Sequence, residues 1–298
     1  MTSFPLWTSL LYNEPLAITP LRNEALCQAA QQRLTGALPE RIDSAVLDIK
    51  PRAFAHEASP LVDGERKPYP MKDGIAVVRS IGTTVKRASF MDAESGLVGY
   101  DRVVAQMREA YRDPDVTGIF WVIDSPGGHT ARMIQAANEI ALMAQAEGGK
   151  PIYAYVDEMA ASAGYVLASA ADVVLGPPSC LGGCLGVILN LVDSSKMHEK
   201  IGLEPIVVRS SWSDQKALGQ PGEKFTAEAI DSYQKIVDQQ GEMMVEFVSA
   251  MRKLTPKQIK ATRGETLGAA DMFRVGLLDE VCSEAEAWAL LSEAVRSN

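Results

Sequence analysis

At 298 residues, 47% of them apolar and 22% charged, the chain has room for one large domain or a domain with a sizeable appendage, and its composition excludes global disorder. A net charge of −9 with no dense Lys/Arg run excludes a nucleic-acid-binding surface. Four scattered cysteines, Cys27, Cys180, Cys184 and Cys282, exclude a disulfide framework and fit a reducing compartment.

The opening Met1 to Pro5 has no basic residue ahead of a short apolar run that Asn13 and Glu14 break, so it reads as a poor signal peptide. No stretch approaches the ~18 consecutive apolar residues of a spanning helix. The expectation is a soluble protein without a membrane anchor, made in a cytoplasm. Residues 1–70 read as an N-terminal arm or linker, ordered against a partner chain if at all. Within it Pro20 to Thr35 predicts a helix, with Leu21, Leu26 and Ala29 or Ala30 at helical spacing, before a polar, proline-punctuated segment from Pro39 to Pro70.

Residues 71–298 alternate strand and helix patterns. Strands are predicted at Ile75 to Val78, Ile119 to Ile123, Pro151 to Val156, Asp172 to Leu175, Gly186 to Leu191 and Pro205 to Val208. Helices are predicted at Tyr100 to Arg112, Thr130 to Ala146, Tyr165 to Ala170, Ala227 to Met251, Thr255 to Thr262 and Glu284 to Val295. In the helix starting at Ala227, Ile230, Ile236, Val237, Met244 and Val248 are the core candidates. This alternation predicts an α/β fold, a mostly parallel sheet covered by helices.

Two segments carry chemistry. Ile123-Asp124-Ser125-Pro126-Gly127-Gly128 ends an apolar strand in a paired-glycine turn that presents bare backbone N–H groups. Ala160-Ala161-Ser162-Ala163-Gly164-Tyr165 places a serine where another strand runs into a helix. Backbone donors and a serine on a tight turn are the two halves of an acyl-transfer site. The base is less obvious. Of three histidines, His56 and His198 read as solvated, while His129 follows the glycine pair and stays in contention. A desolvated lysine is the other option, and Lys216 sits in a loop-like segment between a strand and a long helix. Ser125 reads as a turn-fixing residue and Asp124 as a strand-end cap. No metal-ligand cluster or nucleotide loop is present, so no cofactor is expected.

From Ile75 to Val281 the chain resembles the signal peptide peptidase A family, above all its phage and prophage branch of head-maturation proteases. The resemblance rests on Ile123 to Gly128, Met159 to Tyr165, Ala168 to Asp172, Gly183-Cys184-Leu185-Gly186-Val187-Ile188, Lys216, and Gly276 to Val281. Residues 4–22 also resemble that branch's N-terminal leader. The resemblance implies a crotonase/ClpP-like fold, Ser162 as nucleophile, Lys216 as general base, and the N–H of Gly128 as oxyanion donor. Geometry adds the N–H of Ala163 as second donor, with Gly127 and His129 in support. Where the family carries a serine that orients the lysine, this chain has Cys184, read as a supporting residue rather than a second nucleophile.

The implied activity is that of a serine endopeptidase with a Ser–Lys dyad, cleaving a scaffold or head protein during prohead maturation. It would act as a homo-oligomer in the host cytoplasm or prohead, beside portal or capsid proteins. The alternatives are a bacterial peptidase of signal-peptide remnants, a crotonase-like acyl-CoA enzyme, and a structural head protein with weakened catalysis.

Overall fold

A computed structural model describes residues 14–34, 67–87, 96–219 and 225–297. His56 and most of the proline-punctuated segment lie outside these residues. The chain opens with β1 (Leu16–Ile18) and α1 (Pro20–Leu34), then β2 (Met71–Lys72), β3 (Ile75–Ile81), β4 (Thr83–Val85) and β5 (Leu97–Gly99). Next come α2 (Tyr100–Arg112), β6 (Gly118–Ser125), β7 (Gly127–His129), α3 (Met133–Ala144), β8 (Ile152–Ala161) and α4 (Ala163–Ala168). After β9 (Val173–Gly176), β10 (Leu181–Gly183) and α5 (Ser195–Lys200), a 3-10 turn covers Asp214–Ala217. The chain closes with α6 (Ala227–Arg252), α7 (Pro256–Ala261), β11 (Thr266–Gly268), α8 (Ala269–Arg274), β12 (Glu280–Val281) and α9 (Glu284–Ser297).

The large sheet runs β2-β3-β6-β8 and then forks. The first half of β8 pairs with β9, which pairs with β12, while its last residues pair with β10, which pairs with β11. Every pairing is parallel except β2 with β3 and β10 with β11. The fold is thus the expected α/β class with a mostly parallel sheet. Period-two alternation in β6 explains why both faces are covered. Ile119, Trp121 and Ile123 face the main core with α2, α3, α4 and the C-terminal half of α6. Phe120 and Val122 face the other way, onto Ala287 and Leu291 of α9, with Phe120 edge-on to Trp288 at 5.3 Å.

A small second sheet, β1-β7-β4-β5, stands at the C-terminal ends of the main strands. Its central strand is the glycine pair itself. The helix expected from Thr130 therefore begins later, with α3 starting at Met133. Within residues 1–70, β1 pairs with β7 in this sheet, and Asn23 of α1 exchanges amide hydrogen bonds with Asn190.

Two expected strands do not form. Gly186 to Leu191 keeps a single bridge at Ile188, and Pro205 to Val208 is irregular. Their apolar side chains gave the strand signal, yet Ile206 is 85% and Val208 91% exposed. Ile230 and Ile236 in the first half of α6 are exposed as well, whereas Met244 and Val248 enter the core as expected.

Candidate active site

Ser162 directly follows β8 and stands at the N-cap of α4 with φ 54° and ψ −119°. For a residue with a Cβ this is a strained backbone, held here from both sides: the Ser162 N–H donates to Gly183 O at 2.7 Å, and its carbonyl accepts the Val166 N–H at 3.0 Å. The hydroxyl does not cap the helix. It reaches instead toward the Gly186 carbonyl at 3.4 Å, and the residue is fully buried. Strain at a small polar residue whose hydroxyl takes no part in capping is a functional signature. Small residues permit it: a Cβ on Gly164 would stand 2.8 Å from Ser125 Cβ, so α4 packs directly on the end of β6.

Gly127 and Gly128 lie beside this turn. Ser125 fixes the entry, its hydroxyl accepting the Gly127 N–H at 3.3 Å. Gly127 needs its glycine for a φ of 100°. Gly128 needs it for space, since a Cβ there would be 1.8 Å from Thr84 O. Backbone therefore crowds the pair on both edges, β4 on one and β1 on the other. The Ala163 N–H belongs to the first turn of α4, where amides have no intrahelical acceptor.

His129 ends β7, 4% exposed, and its carbonyl accepts the Tyr100 hydroxyl at 2.6 Å. It is a buried strand residue rather than the start of a helix. Cys184 is 5% exposed with φ 51°; burial raises its thiol pKa, opposed by a hydrogen bond with Thr266. A raised thiol pKa works against a thiolate nucleophile. Lys216 sits on the 3-10 turn Asp214–Ala217 and is exposed, so Ser162 and Lys216 occupy opposite environments in the single chain. His198, expected on the surface, is half-buried in α5.

Sequence reasoning passed over a groove of about 880 Å³ at the strand ends, lined by Thr19, Arg22, Thr83, Asp124, Glu158 and Leu181 among others. A bulge in the β6–β8 register, between Ile123 and Ser125, brings Asp157 and Glu158 near Asp124. Burial, then Glu158 and Asp157, push the Asp124 carboxyl up to about 6, while a backbone hydrogen bond from Met159 acts the other way. Among the described residues, no group of three His, Cys, Asp or Glu side chains is placed to hold a metal ion, and no helix is long and apolar enough to cross a membrane.

A strained serine at a strand–helix turn, next to a glycine-pair strand on an α/β scaffold, is an arrangement on which acyl-transfer chemistry can be built. Residues 144–297, just over half of the chain and including both Ser162 and Lys216, match the model of peptidase family S49. The chain belongs to that family and is of the serine-peptidase class. It is 27% identical over 298 residues to the capsid assembly protease C of Escherichia phage lambda, covering 99% of this chain and 67% of that protein. The head-tail preconnector protein GP5 of Enterobacteria phage P21 is 27% identical over 290 residues, 96% of this chain and 57% of that protein. Protease 4 of Haemophilus influenzae is 28% identical over 224 residues, 74% of this chain and 34% of that protein. The chain thus spans about two thirds of the lambda protein's length and little more than half of the P21 protein's. Among solved structures, an enoyl-CoA hydratase/isomerase family member covers 77% of this chain and 75% of its own at 18% identity and a TM-score of 0.40; the fold class above is read from strand register alone.

Proposed function

We propose that the chain is a serine endopeptidase in which Ser162 attacks and Lys216 is the base, and that its substrate is a polypeptide of phage head assembly. The observation that carries this reading is the strained, buried Ser162 beside the glycine-pair strand, within a chain of family S49. Neutral Lys216 takes the Ser162 proton as the hydroxyl adds to the scissile carbonyl. The N–H groups of Gly128 and Ala163 hold the oxyanion, and Lys216 returns the proton to the leaving amine. Water then clears the acyl-enzyme by the reverse steps. The substrate class follows from likeness to two phage proteins, a capsid assembly protease and a head-tail preconnector protein.

A lysine serves as a base near neutral pH only where it is desolvated, and Lys216 is exposed in the single chain. The segment around it presents Val192, Ile201, Ile206, Val208 and Trp212, each at least 57% exposed. Large apolar side chains left exposed along one segment are the kind of surface that protein contacts cover. We assign it to a second copy of the chain, so that assembly as a homo-oligomer covers Lys216.

The test is intact-mass labelling of the purified full chain with a fluorophosphonate, alongside hydrolysis of unfolded casein. An adduct mapped to Ser162 and lost in Lys216→Ala supports the dyad. Casein hydrolysis that survives Ser162→Ala overturns it. A reading as a structural head protein is favoured by one observation, the exposure of Lys216, and predicts neither adduct nor hydrolysis.

A further inference from the structure

Three carboxylates gather near the C-terminal ends of the two central strands. The register bulge between Ile123 and Ser125 sets Asp124 of β6 beside Asp157 and Glu158 of β8. Asp124 and Glu158 line the groove of about 880 Å³ that lies there. Among the described residues neither of them has an ion pair. Arg22 of α1 is the basic residue on the groove's wall, and it is exposed and bonded to neither. Burial, then the neighbouring carboxylates, disfavour the charged form of Asp124. A facing cation relieves both.

A second feature of the groove calls for a donor. Thr83 lines it and is 6% exposed, and its hydroxyl oxygen is buried without a hydrogen-bond partner among the described residues. Buried polar atoms are rarely left so, because their lost hydration goes uncompensated. The other walls include the apolar side chains of Ile81, Met159 and Leu181. Carboxylates, a buried acceptor and apolar walls together suit a long basic side chain, whose methylene stem packs while its head meets the charge. A metal ion suits them less, since among the described residues no three ligating side chains converge.

The groove also adjoins the candidate chemistry. Pro126, which lines it, leads into the Gly127-Gly128 pair. Glu158 precedes Ser162 on the same run of chain, a separation of at most about 13 Å between their Cα atoms. An extended substrate covers that distance in about four residues.

We propose that this groove binds a lysine or arginine side chain of the polypeptide substrate, within about four residues of the scissile bond. Asp124 and Glu158 are its charge partners, and the Thr83 hydroxyl accepts a further hydrogen bond. The inference rests on the peptidase reading above and deepens it, by assigning a substrate class: polypeptides with a basic residue beside the cut. Asp124, Glu158 and Thr83 set specificity and take no part in the proton transfers.

Unfolded casein digested by the full-length wild type is mapped by mass spectrometry. A peptide spanning one mapped cut is then made with lysine or with uncharged norleucine at each nearby position. The expected result is Lys or Arg enriched at one fixed position, where the lysine peptide has a kcat/KM about 10–100-fold above the norleucine peptide. Asp124→Asn and Glu158→Gln each lower that ratio, which compares two peptides on one protein and so cancels a partial loss of folded chain. Should Asp124→Asn fail to fold, the exposed Glu158 carries the test. Casein hydrolysis with no basic residue favoured near the cuts overturns the groove assignment and leaves the peptidase reading standing. A lysine preference unchanged in the variants places its recognition elsewhere and overturns the assignment too. A chain that neither hydrolyses casein nor takes up fluorophosphonate overturns both readings.

Discussion

Around Ser162 the chain supplies its own walls: β8, β10 and α4 fix the backbone, the Gly186 carbonyl meets its hydroxyl, and every residue from Ala160 to Ala170 is buried. Around Lys216 it supplies almost none, because the segment from Val192 to Ala217 has α5 and a 3-10 turn as its only regular elements among the described residues and turns large apolar side chains outward. The contrast separates two sources of order. The proposed nucleophile and its proposed backbone donors are set by the hydrophobic core of one chain, whereas the proposed base is carried on a surface whose burial has to come from elsewhere.

Each half of that contrast can be attacked. The largest expected effect is on chemistry: Ser162→Ala lowers kcat for casein by a factor on the order of 10⁶, and Lys216→Ala by about 10²–10⁴, with circular dichroism unchanged. Retained activity in Lys216→Ala removes that lysine from the site. Next is Gly128→Ala, whose methyl would stand 1.8 Å from Thr84 O. It should cost about 3 kcal/mol in denaturant unfolding, at the upper end for overpacking, and an unchanged midpoint would mean β7 is not pinned as described.

A smaller effect follows from Asp124. Its folded pKa, about 6, lies above the ordinary 3.8, so the folded state holds the proton more tightly than the unfolded one. That contribution is full below the unfolded value and is lost as pH rises through the folded one. Asp124→Asn should therefore flatten the fall in melting temperature between pH 4 and pH 6, and equal slopes in both proteins would refute the shift. The smallest effect belongs to the exposed segment. Ile206→Ala should change the stability of the dilute chain by no more than about 0.5 kcal/mol, yet reduce activity and sedimentation size if a second copy covers the lysine there. A stability loss matching that of a core Ile→Ala change, about 2–5 kcal/mol, would erase the distinction between the two regions.

The sequence was legible where elements are long enough to show a period. Ile119 to Ile123 and Pro151 to Val156 gave the central strands, and α2, α6 and α9 followed from helical spacing. Three-residue strands such as β1, β4, β7 and β10 carry no period to read. Leu16 to Ile18, bracketed by prolines, therefore passed for linker although it is buried within a sheet. The false strands at Gly186 to Leu191 and Pro205 to Val208 fail for the converse reason, since Ile188, Ile206 and Val208 are exposed and do not serve this chain's core. In the site, the glycine pair and Ser162 with Ala163 were readable because each needs a particular residue type at a particular backbone turn. The surroundings of Lys216 were not, because an exposed lysine has no local sequence signature.

The backbone at residue 162 also limits which nucleophiles this position could ever have held. With φ at 54° and ψ at −119°, a side chain branched at Cβ is the worst tenant, so threonine is barred by conformation before its hydroxyl is considered. Serine, cysteine, alanine and glycine fit with progressively less chemistry or less strain. A single torsion angle thus acts as a gate on mutation, leaving cysteine as the one substitution that keeps both the turn and a nucleophile.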